Sequence, residues 1–134
     1  MLRVFLDANV LFSAAYREGT DLLGLWERPG VQLITSGYAV EEARRNLASP
    51  EQRSRLETLV AALRLVAEAP DEFLPAGVRL PENDVPILKA AMAAGATHLL
   101  TGDLRDFGHL LGRRVGGVKV QTPGEFLRSV GRSG

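Results

Sequence analysis

The sequence contains no cysteine, which excludes disulfides and cysteine-based zinc sites. It has only two histidines, His98 and His109, too few for a histidine-rich metal centre. Any resident metal would therefore rest on oxygen ligands, the donor set that suits magnesium, manganese or calcium. Net charge is absent too, because 16 Lys+Arg balance 16 Asp+Glu. Bulk charge thus gives no pointer to a nucleic-acid partner, although a basic patch beside an acidic one would vanish in that sum. Long apolar runs are missing as well. The apolar stretch between Met1 and Asp7 is too short for a signal peptide. No segment approaches the roughly 20 apolar residues of a membrane span. The expectation is a soluble, cytoplasmic protein that does not enter the membrane.

What is present is ordinary globular usage. The 134 residues are 46% hydrophobic and 24% charged, enough to build a core and too apolar for disorder. No repeat, low-complexity tract or linker divides the chain. The expectation is a single domain over 1–130 with a frayed tail at 131–134.

Apolar runs and capping signals outline the elements. Arg3 to Leu6 predicts a buried strand ending at the polar turn Asp7-Ala8-Asn9, which opens a helix. Thr20 is placed to cap a second helix through Trp26, stopped by Pro29-Gly30. Val31 to Ile34 predicts a strand, and Gly37 to Leu47 a helix. Ser49-Pro50-Glu51-Gln52 is a capping box with proline at the first helical position. Leu56, Leu59, Val60 and Leu63 then mark a buried helical face. Arg64 to Ala67 predicts a strand and Pro70 to Pro81 a loop. Asn83 or Asp84 opens an alanine-rich helix through Met92, ended by Gly95. Thr97 to Thr101 predicts a strand, Asp103 to Leu110 a short helix, and Val118 to Val120 a last strand. The capping box Thr122 to Glu125 opens a terminal helix to about Val130. Strands alternating with helices predict an α/β fold, a three-layer α/β/α sandwich with a central parallel sheet of about five strands.

In such sheets, sites form beyond the carboxyl ends of the strands. Asp7 follows the first strand and Asp103 follows the strand ending at Thr101. Glu41 or Glu42 and Asp84 stand near helix starts. Carboxylates that converge without a cation between them repel one another, so a cluster there calls for a divalent metal. Each acid also has a plain alternative. Asp7, Asp84 and Asp103 can each cap a helix, with Asp106 in the capping-box position after Asp103. Glu41 and Glu42 can be solvated surface charge. Helical periodicity leaves the two glutamates open, since they flank the buried face Val40, Ala43, Leu47 at similar offsets.

Val4-Phe5-Leu6-Asp7-Ala8-Asn9-Val10-Leu11 resembles the opening of a PIN domain, a nuclease family. The stretch from Asp84-Val85-Pro86-Ile87-Leu88-Lys89-Ala90-Ala91 to Leu100-Thr101-Gly102-Asp103 resembles it more specifically. Thr35-Ser36-Gly37-Tyr38-Ala39-Val40-Glu41-Glu42 is similar to the family's serine followed by a helical glutamate. Ser49 to Pro81 carries no resemblance. The resemblance implies Asp7, Glu42, Asp84 and Asp103 as catalytic residues, with Asp7, Asp84 and Asp103 on the metal. The family's spacing from the serine favours Glu42, with Glu41 as the alternate and Asp106 as a further one. Asn9 and Thr101 match supporting polar positions. The implied cofactor is Mg2+ or Mn2+, with Asp7 and Asp103 on the main ion and Asp84 and Glu42 holding a second ion or orienting water. The implied activity is metal-dependent endoribonuclease chemistry on single-stranded or structured RNA. The resemblance further implies the toxin of a toxin–antitoxin pair of the VapC type, with an antitoxin and a homodimer as partners. A PIN nuclease of RNA processing without antitoxin, and a non-catalytic PIN-like module, are the alternatives. Arg44, Arg45, Arg105, Arg113, Arg114 and Lys119 are cations near the acids that could meet phosphate or simply face solvent. A phosphoacceptor receiver domain would need an acidic pair after the first strand and an aspartate after the third. The chain has only Asp7 at the first place and no aspartate at the second.

Overall fold

Strand-forming runs and well-capped helices alternate along the chain, and the computed structural model describes residues 1–131. The first half holds β1 (Leu2–Leu6), α1 (Ala8–Tyr16), a 3₁₀ turn (Asp21–Leu23) leading into α2 (Gly24–Glu27), β2 (Val31–Ser36), α3 (Gly37–Asn46), α4 (Pro50–Ala61) and β3 (Arg64–Val66). The second half holds α5 (Val85–Ala93), β4 (His98–Leu100), α6 (Leu104–Phe107) with a 3₁₀ turn (Gly108–Leu110), β5 (Arg114–Val115), β6 (Val118–Gln121) and α7 (Pro123–Gly131). Gly131 thus ends α7, and residues 132–134, where a frayed tail was expected, lie outside the described residues.

The caps act as the side-chain chemistry requires. Ser49 Oγ accepts from Gln52 N at 3.1 Å while Gln52 Oε1 accepts from Ser49 N at 3.2 Å, closing the capping box of α4. Thr122 and Glu125 make the same reciprocal pair at the start of α7. Thr20 Oγ1 accepts from Leu22 N, but it starts a 3₁₀ turn and a four-residue helix rather than one continuous helix. On α4 only Leu56 is fully buried, Leu59 and Val60 are half-buried against the core, and Leu63, also half-buried, falls beyond the helix end at Ala61. α4 packs on α1 and α3 at the outside of the molecule, so a narrower stripe suffices.

The sheet has six strands in the order β3-β2-β1-β4-β6-β5. All neighbours are parallel except β5, which runs antiparallel to β6. β5 departs from the five-strand expectation. It is two residues long, too short for a pattern of alternation. Its signal was the turn between Val115 and Val118, where Gly116 and Gly117 both take positive φ, 56° and 84°. Two such residues between strands make a tight hairpin. A Cβ at Gly116 would also meet Met92 Cε at 2.7 Å.

Phe5, Leu6, Leu99 and Leu100 on the two central strands are fully buried, as near-continuous apolar strands covered by helices on both faces must be. Each such side chain stabilises the fold by about 1.5–3 kcal/mol. The strand order reverses between β1 and β4: the chain steps one way to β2 and β3, and the other way to β6. Such a switch point leaves a crevice beyond the carboxyl ends of the strands flanking it. No helix among the described residues is long and apolar enough to cross a membrane.

Candidate metal centre

Asp7 stands one residue beyond β1, and its backbone N–H donates to the Leu100 carbonyl of β4 at 3.0 Å. This bond carries the pairing of Leu6 with Leu100 one step further and places Asp7 in the crevice beside Thr101. Thr101 Oγ1 donates to Asp7 Oδ2 at 2.8 Å and accepts from Asp103 N at 3.0 Å. Asn9, on the first turn of α1, donates from Nδ2 to Asp7 Oδ2 at 3.1 Å and to Thr101 Oγ1 at 3.3 Å. Its Oδ1 accepts from Gly102 N at 2.8 Å. Two fully or largely buried polar side chains therefore lock the ends of β1 and β4 together and hold Asp7 and Asp103 in register.

One cavity of about 430 Å³ opens there, lined by Asp7, Glu42, Asp84, Asp103 and Asp106 together with Asn9, Phe12, Asn46 and Asn83. Five acids from four separate segments of the sequence share its wall. Among the described residues, Asp84, Asp103 and Asp106 come closest, each offering a carboxylate oxygen within 4.8 Å of the others. Asp106 thus stands nearer the centre than an alternate would. The spacing Asp103 to Asp106 could have shown this, since i and i+3 share a helical face.

Capping accounts for part of this arrangement. Asp7 Oδ1 accepts from Ala8 N at 2.7 Å at the start of α1, and Asp103 Oδ1 accepts from Asp106 N at 3.0 Å at the start of α6. Asp7 therefore accepts three hydrogen bonds, leaving about one of its four lone-pair positions for the pocket. Asp84 is different. It occupies the N-cap position of α5 without any side-chain capping bond, and its Oδ2 is buried without a hydrogen-bond partner. A buried, unpaired carboxylate oxygen is costly unless something positive meets it.

The two glutamates separate. Glu42 lines the cavity with its side chain 25% exposed and stands 3.9 Å from Arg45. Glu41 turns outward, 56% exposed, into a surface network in which Arg44 reaches Glu41 at 2.6 Å and Glu57 at 2.7 Å. Tyr38, a residue without a chemical signal in the sequence, donates its hydroxyl proton to the Asn83 carbonyl at 2.7 Å. That bond ties α3, which carries Glu42, to the start of α5, which carries Asp84.

The electrostatics follow from this crowding. Burial pushes the Asp7 carboxyl up from its usual 3.8 to about 6. Hydrogen bonds from Thr101 and Ala8 oppose the rise, and the charges of Asp103 and Glu42 add to it. Asp84 is driven to about 7, by burial first, then by hydrogen bonding with Asp106 and the charges of Asp7, Asp106 and Asp103. The cavity holds negative charge poorly without a cation to share it.

Residues 3–105 match the family model of the PIN domain. The chain belongs to the PIN domain family. No curated protein matches it. In shape it is similar to a chain in the crystal structure of VapBC2 from Rickettsia felis bound to a DNA fragment from their promoter. That likeness has a TM-score of 0.63 at 16% identity and covers 90% of this chain and 98% of that one. It shows that the α/β fold with a mostly parallel sheet is shared. The acidic cavity of this PIN domain fits a hard divalent cation: the donors are all oxygens, three of them converge, and one buried oxygen lacks a partner. It offers no nitrogen or sulfur donor to favour a softer metal.

Proposed function

We propose that this PIN domain, over residues 1–130, is a metal-dependent endoribonuclease that hydrolyses phosphodiester bonds with Mg2+ or Mn2+. The observation that carries the reading is the convergence of Asp84, Asp103 and Asp106 in a cavity with five acids, where Asp84 Oδ2 is buried without a hydrogen-bond partner. Asp84, Asp103 and Asp106 would hold the cation, with Asp7 as a fourth carboxylate at the floor. When bound, the cation supplies charge compensation on a phosphate oxygen and eases deprotonation of a water. Glu42, at the less buried wall, orients the attacking water and takes its proton. Thr101 and Asn9 keep Asp7 and Asp103 from swinging apart, so the ligands need no rearrangement as charge develops. Water attacks phosphorus and gives its proton to Glu42, the bond to the leaving ribose oxygen breaks, and that oxygen takes a proton from solvent water as it departs.

Family membership supports nuclease chemistry, and the likeness to VapBC2 supports the toxin of a toxin–antitoxin pair, with the cytoplasm as the proposed location. RNA, single-stranded or structured, is the proposed substrate, an antitoxin the proposed partner, and a homodimer the proposed assembly. Cleavage of end-labelled single-stranded RNA is the test, with magnesium, manganese or EDTA and with Asp7→Asn. Metal-dependent cleavage that Asp7→Asn abolishes is expected; undiminished cleavage by the variant overturns the reading.

A further inference from the structure

A second concave surface, of about 570 Å³, lies along β5 and beneath the loop Pro75–Val78. Its charge is opposite to that of the acidic cavity. His109, Arg113 and Arg114 line it, and no Asp or Glu does so among the described residues. All three side chains are exposed, and neither arginine forms an ion pair among the described residues. The arginines at 44 and 45, by contrast, stand against carboxylates. Arg114 also sits directly opposite Lys119 across the β5–β6 ladder. Like charges in that relation destabilise a sheet. Burial first, then these two charges, lower the pKa of the neighbouring His98. Glu125, whose carboxyl Lys119 helps to lower, meets part of this charge from α7. A chain of zero net charge has thus gathered uncommitted cations on one concave face.

The placement of this face relates it to the acidic cavity. The segment from α6 to the following 3₁₀ turn begins at Asp103 and ends at Leu110, so it joins one surface to the other. Four α-helical residues at about 1.5 Å and three 3₁₀ residues at about 2.0 Å span about 12 Å. In the sheet, β5 lies two strands from β4, about 10 Å sideways at about 4.8 Å per strand, and Arg114 is level with Lys119 and His98 at the start of β4, set back from the carboxyl ends. Arg105 is exposed on the way.

We infer that Arg113 and Arg114, with His109 beside them, form a phosphate-binding subsite for the RNA backbone to one side of the bond held over the acidic cavity. The inference rests on the endoribonuclease reading and names how that site holds its substrate. The acidic cavity cannot draw a polyanion toward itself, so attraction must come from a neighbouring surface. Guanidinium groups suit the task because they bind phosphate oxygens in pairs and stay charged. Because contact is with the backbone, the subsite adds affinity and direction without reading bases.

The test compares Arg113→Gln/Arg114→Gln with Arg17→Gln/Arg64→Gln, a control pair elsewhere on the surface. Both are placed in an Asp84→Asn background so that labelled 12-nucleotide single-stranded RNA is bound and not cut. Anisotropy is read from 0.1 to 1 M salt with magnesium present. Each lost phosphate contact lowers the slope of log K against log salt by about 0.7 for a single strand. The subsite variant should lose about 1.4 from the slope and bind about 25-fold more weakly at 0.1 M salt, with the difference gone near 1 M. The control pair should match the parent. If the double variant does not fold, each single variant should show a slope loss of about 0.7. An unchanged slope and affinity, while the parent binds RNA and the protein with Asp84 cleaves it, overturns the subsite and leaves the nuclease reading intact. Failure of the parent to bind and of the Asp84 protein to cleave overturns both.

Discussion

Replacing Asp84 with asparagine separates the cost of the acidic cavity from its use. The carboxyl is displaced from 3.8 to about 7 by burial and by its acidic neighbours. At about 1.4 kcal/mol per pKa unit, a sealed site would lose about 4 kcal/mol at neutral pH. This cavity is open to water, and screening reduces the figure to about 1–2 kcal/mol. Asparagine has the same shape, removes the charge, and can donate from its amide toward Asp103 and Asp106. Asp84→Asn should therefore stabilise the metal-free protein at pH 7.5. For 134 residues the unfolding entropy is about 280 cal/mol/K, so each kcal/mol moves Tm by about 3.5 °C. The expected gain is about 4–7 °C in EDTA. At pH 4, where Asp84 is protonated in the folded protein, the gain should vanish. Metal reverses the order. At a concentration 100 times its Kd, a cation bound only by the folded state adds about 2.7 kcal/mol, about 9 °C. The parent should show such a rise with manganese or magnesium, and the variant less than half of it. The assay is thermal unfolding by circular dichroism in EDTA and in metal, at both pH values. A variant less stable than the parent in EDTA at pH 7.5, or one with an undiminished metal response, would refute the reasoning.

The pH dependence of the parent follows from the same groups. Between the unfolded value of 3.8 and the folded values of about 6 for Asp7 and about 7 for Asp84, the folded state holds protons that the unfolded chain has released. Stability in EDTA should accordingly fall as pH rises from about 4 to about 7, and saturating metal should flatten the slope in urea titrations across that range. Thr101→Val keeps the branched shape but removes the hydroxyl between Asp7 and Asp103, leaving Asp103 N without its acceptor. A loss of about 1–3 kcal/mol in urea unfolding is expected, together with loss of RNA cleavage. Glu42→Gln should abolish cleavage while Glu41→Gln leaves it unchanged, because only Glu42 lines the cavity and Glu41 is committed to Arg44. Equal effects in a cleavage assay would contradict that division. Gly116→Ala should lower stability by about 1–3 kcal/mol through its positive φ and the contact with Met92, read as a shift in the urea midpoint.

Much of this molecule was legible in the linear chain. Apolar runs and reciprocal caps such as Ser49 with Gln52 are local signals, and local chemistry places the elements within a residue or two. The alternation of strands and helices implied a parallel sheet, and Asp7 and Asp103 were set at strand ends by position alone. The hairpin strand at Arg114–Val115 was missed because two residues carry no period, although the paired glycines after it did carry a turn signal. Glu41 and Glu42 could not be told apart by helical phase, since they flank one buried face. Only the packing of α3 beside α5 turns Glu42 to the cavity and leaves Glu41 with Arg44 and Glu57. The same holds for Tyr38, whose hydroxyl finds the Asn83 carbonyl 45 residues away. Asp84 makes the point most sharply. In sequence it reads as a helix cap, and in the fold it caps nothing and faces two other carboxylates. Capping depends on neighbours in the chain, so sequence can propose it. Whether a carboxylate is left without a partner depends on everything that surrounds it, and that is decided only when distant segments come together.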